Sequence, residues 1–136
     1  MSAESTSDGL AHWHAFIESR DPSVLAAGVH ADAVFESPVV HTPQRGRDLV
    51  VMYLVGAAMT LGNDTFRYVG EWRAERSVVL EFACEVDGLT INGVDMIWWD
   101  EAGLITRFKV MVRPLKAINL LHGKMAALLA RMPPKS

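Results

Sequence analysis

Between residues 66 and 113 the chain is four apolar runs joined by turn-sized connections. The runs cover 66–73, 77–86, 89–99 and 104–113. Ala74-Glu75-Arg76, Asp87-Gly88 and Asp100-Glu101-Ala102-Gly103 link them. Connections of that length and composition make hairpins, so this half reads as an antiparallel meander. The first half has a different rhythm. Ser7 or Asp8 can cap a helix carrying Leu10, Trp13, Phe16 and Ile17 near helical spacing. Asp21-Pro22 reads as an N-cap and first turn, opening a short helix over 23–28. A strand over 33–37 is stopped by Pro38, and 39–46 reads as a loop. A third helix is expected over 48–61, apolar nearly all round and therefore covered on more than one side. A last helix, led by Pro114, turns Leu115, Ile118, Leu121, Met125 and Leu128 to one side, with Gly123 a weak point in it. Helices followed by a meander define an α+β class. One domain is expected over 8–132, with a loosely ordered start (1–7) and a short tail (133–136).

Composition narrows the functional classes. The chain has 136 residues, half of them hydrophobic, enough for one domain with a real core. A net charge of −3, with thirteen scattered Lys and Arg, gives no general pull toward nucleic acid. The single cysteine, Cys84, cannot form an internal disulfide and fits a reducing compartment. The polar, acidic opening segment is unlike a secretory signal, and no apolar run approaches the roughly 18 residues of a membrane span. A cytoplasmic protein binding neither membrane nor nucleic acid is the expectation.

One acid stands out against the meander. Asp95 lies in Ile91-Asn92-Gly93-Val94-Asp95-Met96-Ile97-Trp98-Trp99, and alternation puts it on the face of Leu89, Ile91, Ile97 and Trp99. A carboxylate among large apolar groups is costly unless hydrogen-bonded, paired or protonated. Such a group marks either the floor of a binding pocket or a satisfied core carboxylate. In the second case Trp13 N–H, Tyr53 or backbone would be its partner. An apolar setting predicts a raised pKa for it.

The order of elements, with Arg20-Asp21, Phe35-Glu36-Ser37-Pro38, Gly46-Arg47, Asp95 and Asp100-Glu101-Ala102-Gly103-Leu104-Ile105, resembles the nuclear-transport-factor-two-like superfamily. Within it, the chain is most similar to the SnoaL-like and ketosteroid-isomerase-like branch, over roughly residues 8 to 122. The resemblance implies a cystatin-like fold. There a strongly curved, mainly antiparallel sheet wraps around N-terminal helices to form a cone-shaped pocket, with a C-terminal helix. Asp95 falls on the strand acid that in ketosteroid isomerases stays protonated and donates to the oxyanion. The base position before the proline is Ser37, and a serine hydroxyl accepts no proton near pH 7 unaided. The oxyanion tyrosine position falls on Trp13, an indole donor. Steroid isomerisation by that mechanism is therefore not expected. A limonene-epoxide-hydrolase reading needs an Arg where Gly93 stands. The looser SnoaL-like cyclases imply a single acid acting on an already acidic substrate, which Asp95 alone satisfies.

Other candidates complete the expected site. His41, in the loop 38–43 that the resemblance places at the cavity mouth, is the candidate second catalytic group, since a histidine side chain can serve as a base. Trp13, Phe16, Ser37, Met52 and Tyr53 are expected to line the pocket, together with Ile97, Trp99, Phe108, Val110 and Val112. Such walls suit a small hydrophobic molecule, polycyclic or ketone-bearing, with one polar handle. His12 and His14 read as surface residues, and His30 and His122 carry no signal. No metal cluster or phosphate-binding loop is present in the sequence pattern, so no cofactor is expected. On the outer sheet face, Trp72, Met96 and Trp98 sit beside Glu81, Glu85, Arg107 and Lys109, which points to a homodimer through that face. Two readings stand: an acid–base isomerase or cyclase centred on Asp95, or a non-catalytic binding or dimerisation module.

Overall fold

The hairpin connections produce the expected meander. The computed structural model describes residues 8–131. The expected loose start, 1–7, residue 132 and the tail, 133–136, lie outside the described residues. Helices α1 (Gly9–Ser19) and α2 (Pro22–Ala27) lead into strand β1 (Val29–Glu36), a two-residue β2 (Gln44–Arg45) and helix α3 (Arg47–Leu61). Strands β3 (Arg67–Ala74), β4 (Ser77–Val86), β5 (Leu89–Trp99) and β6 (Ile105–Arg113) follow, then helix α4 (Leu115–Ala130). All lie in one six-stranded sheet ordered β2-β1-β6-β5-β4-β3. Only β1 and β6 pair in parallel; the other neighbours are antiparallel. This is the α+β, cystatin-like architecture, with a curved, mainly antiparallel sheet.

The local signals explain most boundaries. Asp8 Oδ1 accepts from Leu10 N at 2.8 Å, and Asp21 Oδ1 from Ser23 N at 2.9 Å, so each short helix begins at an acid cap. The tight β4–β5 turn needs two residues at positive φ, which Asp87 (53°) and Gly88 (78°) supply. Strict alternation in β4 and β5 then buries Val78, Leu80, Phe82 and Cys84 with Ile91, Asp95, Ile97 and Trp99 on the concave face. Two expectations are corrected. Strand β1 starts at Val29 rather than at 33, because its parallel pairing with β6, irregular between Val29 and Val34, extends it past exposed Ala31 and Asp32. Helix α4 runs unbroken through Gly123, where an added Cβ meets nothing within 4 Å. No helix among the described residues is long and apolar enough to cross a membrane.

The family anchors noted in the sequence are builders of local structure. Arg20 ends α1 at φ 57° and donates to the carbonyls of Ile17 (3.2 Å), Ala58 (3.3 Å) and Gly62 (2.8 Å), tying α1 to the end of α3. Arg47 Nε donates to Val29 O at 2.9 Å. Asp100 Oδ1 accepts from Ala102 N and Leu104 N and shapes the β5–β6 turn. These contacts specify the fold and leave the chemistry open.

Gly93 is a position where the sheet needs a missing side chain. A Cβ there would lie 2.5 Å from Met111 O and 2.6 Å from the Phe82 ring. No arginine can stand at this position, which removes the epoxide-hydrolase arrangement. Gly93→Ala should destabilise the fold by about 1–3 kcal/mol through overpacking. Urea unfolding of the variant checks this; an unchanged midpoint would show that β5 and β6 yield freely there.

Candidate active site

Asp95 is the one buried charged residue in the described core, 6% exposed. Tyr68 Oη donates to its Oδ2 at 2.7 Å, and Trp13 Nε1 donates to Tyr68 Oη at 2.8 Å. Three elements supply this chain: α1 carries Trp13, β3 carries Tyr68 and β5 carries Asp95. Trp13 is held edge-on against Phe108 (4.7 Å between centroids) and tilted on Phe16 (5.5 Å). Tyr68 stands edge-on to Phe66 at 5.1 Å. The aromatic packing fixes the ring positions, and the ring positions fix the hydrogen bonds.

Electrostatics follow from this setting. Burial pushes the Asp95 pKa up to about 7, and the Tyr68 hydrogen bond pulls the other way by favouring the ionised form. Burial, with the Asp95 charge beside it, drives the Tyr68 phenol far above its ordinary range, so it stays protonated. An indole N–H only donates, so Tyr68 Oη accepts from Trp13. When Asp95 is ionised, the single phenol proton is committed to Oδ2. Protonating Asp95 adds one donor to the triad, on Oδ1 or, if the new proton sits on Oδ2, at the released Tyr68 hydroxyl. Both outcomes offer that donor to the adjoining space.

That space is a cavity of about 50 Å³ lined by Trp13, Arg20, Phe66, Tyr68, Phe82 and Asp95, among others. Its remaining walls, which include Leu54, Leu61, Phe108 and Val110, are apolar. A second, larger cavity of about 200 Å³ lies beneath α4 and shares Ala57, Leu61 and Val110 with the first.

The sequence-derived candidates divide accordingly. Trp13, Asp95, Phe108 and Val110 line the small cavity, while Ser37, Tyr53 and Val110 line the large one. Phe16, Ile97 and Trp99 are filled core: Phe16 and Ile97 are buried, and Trp99 packs so closely on Gly9 that a Cβ there would sit 2.7 Å from it. Met52 lines neither cavity. Val112 belongs with His41 to an open cleft shared with Glu36 and Lys109. His41 is exposed and does not line the Asp95 cavity, so the structure does not bring the two expected catalytic groups together. The reason is the loop itself. Ser37 Oγ accepts from Val39 N (2.9 Å) and Val40 N (3.3 Å), and the turn it makes carries His41 to the surface. The partner of Asp95 is Tyr68 rather than Tyr53, which instead stacks on Phe35 at 5.6 Å. Among the described residues, no cluster of three or more His, Cys, Asp or Glu side chains is placed to hold a metal ion.

Tyr68 was hidden from sequence alternation by a β-bulge. Trp72 belongs to the convex face, and strict alternation would put Tyr68 there too. The ladder shifts between Tyr68 and Gly70, reversing the phase so that Tyr68 pairs with Phe82 and points inward. Gly70 was the available signal, since a glycine inside a strand often marks a bulge.

Comparison with known proteins agrees with this architecture. No protein-family model matches the sequence, and no curated protein does. Among solved structures, a steroid delta-isomerase from Pseudomonas aeruginosa is 39% identical, over 94% of this chain and 93% of that one, with a TM-score of 0.85. An uncharacterised cystatin-like-fold protein from Silicibacter pomeroyi is 28% identical, over 96% and 92% of the two chains, with a TM-score of 0.84. An NTF2-like protein of unknown function from Mesorhizobium loti shares the fold, at 18% identity over 84% and 95% and a TM-score of 0.67. The chain belongs to the nuclear-transport-factor-two-like superfamily, with ketosteroid-isomerase-like proteins among its structural neighbours. Its fold is of the ligand-binding or isomerase type.

Proposed function

We propose that this protein binds a small hydrophobic, ketone-bearing molecule and moves a proton on it with Asp95. The observation that carries this reading is a buried carboxyl, held by Tyr68 and Trp13, at the wall of a cavity whose other walls are apolar except for Arg20. With a pKa near 7, both of its protonation states are populated at neutral pH, which suits a group that must accept and return a proton. Among the described residues, no other carboxyl or imidazole lines the cavity, and Tyr68 stays protonated. A reaction completed by one group is a proton shift. Ionised Asp95 takes a proton from an activated carbon, charge passes to the ketone oxygen, and neutral Asp95 returns the proton at another carbon. The protein and the proton count end where they began. The relative described as a steroid delta-isomerase supports a steroid-like, polycyclic ketone as the first substrate to try.

Ser37 supports the second reading, a non-catalytic binding module. It stands where the isomerase resemblance calls for a base, and its oxygen is engaged in the loop turn. One experiment separates the two. Incubation of an activated ketone with the protein in D₂O, followed by NMR, should show exchange at the acidic carbon, and Asp95→Asn should slow it by about 10²–10⁴-fold. Equal exchange by both proteins would leave binding as the function.

The convex sheet face supports a homodimer. Trp72 is 59% exposed there, with Met111 and Val69 also open to solvent. The Arg107 guanidinium lies 4.4 Å over the Trp98 ring and pairs with Glu36 at 2.6 Å, so the face mixes aromatic and ionic groups. A dimeric mass in light scattering is the expected result, and a monomer contradicts it.

A further inference from the structure

Strand β6 outruns its parallel neighbour. The last pairing between the two is Glu36 with Lys109, after which the chain leaves β1 through Ser37 and Pro38. Strand β6 continues to Arg113, and Val110, Met111, Val112 and Arg113 pair with β5 alone. The main-chain groups over 110–113 that point away from β5 therefore have no strand to meet. Among the described residues, no backbone bond runs from the loop 37–43 to this stretch. An open cleft of about 370 Å³ lies along it, walled on the other side by Ser37, Pro38 and His41. A free strand edge facing a groove is the geometry onto which an extended chain adds as a further strand.

The side chains define the strand that would fit. Alternation puts Lys109, Met111 and Arg113 on the convex face, with Val110 and Val112 on the concave one. Met111 is 52% exposed between its two basic neighbours. Glu36, the acid of the cleft, is bound by Arg107 Nε at 2.6 Å. Arg113 donates to the neutral Asn92 amide oxygen at 3.3 Å, and among the described residues neither Lys109 nor Arg113 forms an ion pair. Opposite charges directly across two strands attract, and like charges destabilise. The fitting strand has acids opposite Lys109 and Arg113, an apolar residue opposite Met111 and β-branched residues opposite the two valines. A second copy does not supply it, because two such edges laid antiparallel about Met111 set Lys109 against Arg113 twice. The tail 133–136, Pro-Pro-Lys-Ser, has no acid, and its prolines lack the N–H that a ladder needs.

We propose that the free edge of β6 over 110–113 docks an extended acidic segment of a partner protein, of the pattern acid–x–apolar–x–acid, which joins the sheet as a further strand. The pattern reads alike in both directions, so it suits parallel and antiparallel addition. This surface acts independently of the chemistry at Asp95. Trp72, the most exposed aromatic of the homodimer face, lies three strands away on β3.

The test is an amide NMR titration of the full chain, at low salt, with a capped Glu-Val-Leu-Val-Glu peptide. Shifts should gather at 109–113 and in the loop 37–41, and the edge-facing amides of 110–113 should gain protection from hydrogen exchange. A Lys-Val-Leu-Val-Lys peptide should bind roughly tenfold more weakly, because both cross-strand pairs become repulsive. The acidic peptide N-methylated at every residue should not bind, since it has no N–H to donate. Lys109→Glu combined with Arg113→Glu should reverse the preference between the two charged peptides. Equal affinity of the parent for the acidic and basic peptides would overturn the proposal, whether or not the double variant folds. So would unimpaired binding of the N-methylated peptide, or shifts that gather elsewhere. Edge amides already protected in the free protein would also overturn it, since another segment or copy of this chain would then hold the groove.

Discussion

Asp95→Asn is expected to abolish a pH dependence that dominates the stability of this protein between pH 5 and 8. In the folded state the Asp95 pKa is raised from 3.8 to about 7 by burial. Between those values the folded protein holds a proton that the unfolded chain has released, so stability falls as pH rises. The contribution is fully present below about pH 4 and is lost as pH passes through 7. At 1.36 kcal/mol per unit, the whole effect is on the order of 4 kcal/mol, and about 2–3 kcal/mol of it falls between pH 5 and 8. Glu36, held down chiefly by the Arg107 hydrogen bond, and Asp21, held down by Ser23, titrate below this window and act in the opposite sense at lower pH. An asparagine keeps the shape and an oxygen for Tyr68 to donate to, and it carries no charge at any pH. The variant should therefore be flat across pH 5 to 8 and more stable than the parent at pH 8. Urea unfolding at several pH values measures both. An equal slope in the two proteins would place the titrating group elsewhere.

Tyr68→Phe is expected to have the second largest effect. The ring keeps its packing on Phe66, and only the hydroxyl is lost. That hydroxyl serves two buried partners, accepting from Trp13 and donating to Asp95. Leaving a buried polar group unpaired costs about 1–3 kcal/mol, so two such losses predict about 2–6 kcal/mol at pH 6. The Asp95 pKa should also move above 7, because the hydrogen bond from Tyr68 is what lowers it. Under the proton-shift reading, the pH at which Asp95 works as a base rises with it. Unfolding at pH 6, with a carboxyl titration of the variant, checks both effects. An unchanged or lowered Asp95 midpoint would show that Tyr68 does not hold this group.

The parts of the fold that were legible in the sequence are those set by local chemistry. Asp87-Gly88 announces a turn requiring positive φ, and the flanking alternation then fixes which residues of β4 and β5 face inward. The position of Asp95 on the concave face follows from that phase alone. What escaped depends on long-range or irregular features. Strand β1 joins β6 in parallel across most of the chain, and no local pattern signals that pairing. The bulge at Val69 reverses the phase of β3 and hid Tyr68, the hydrogen-bond donor to Asp95. Phase identifies an inward residue without showing whether space lies in front of it. Ile97 and Trp99 were therefore grouped with Phe108, although of the three only Phe108 lines the Asp95 cavity. His41 was placed at the cavity mouth by resemblance, and the Ser37 turn carries it outward.

The central claim is that Asp95 is a neutral-range acid–base group at the wall of a mainly apolar cavity. The most direct test is a ¹³C NMR titration of its carboxyl carbon in the folded protein. A midpoint near 7 is the result predicted here. A midpoint near 3.9, the ordinary value for an aspartate, would contradict it and make Asp95 a permanently ionised core residue.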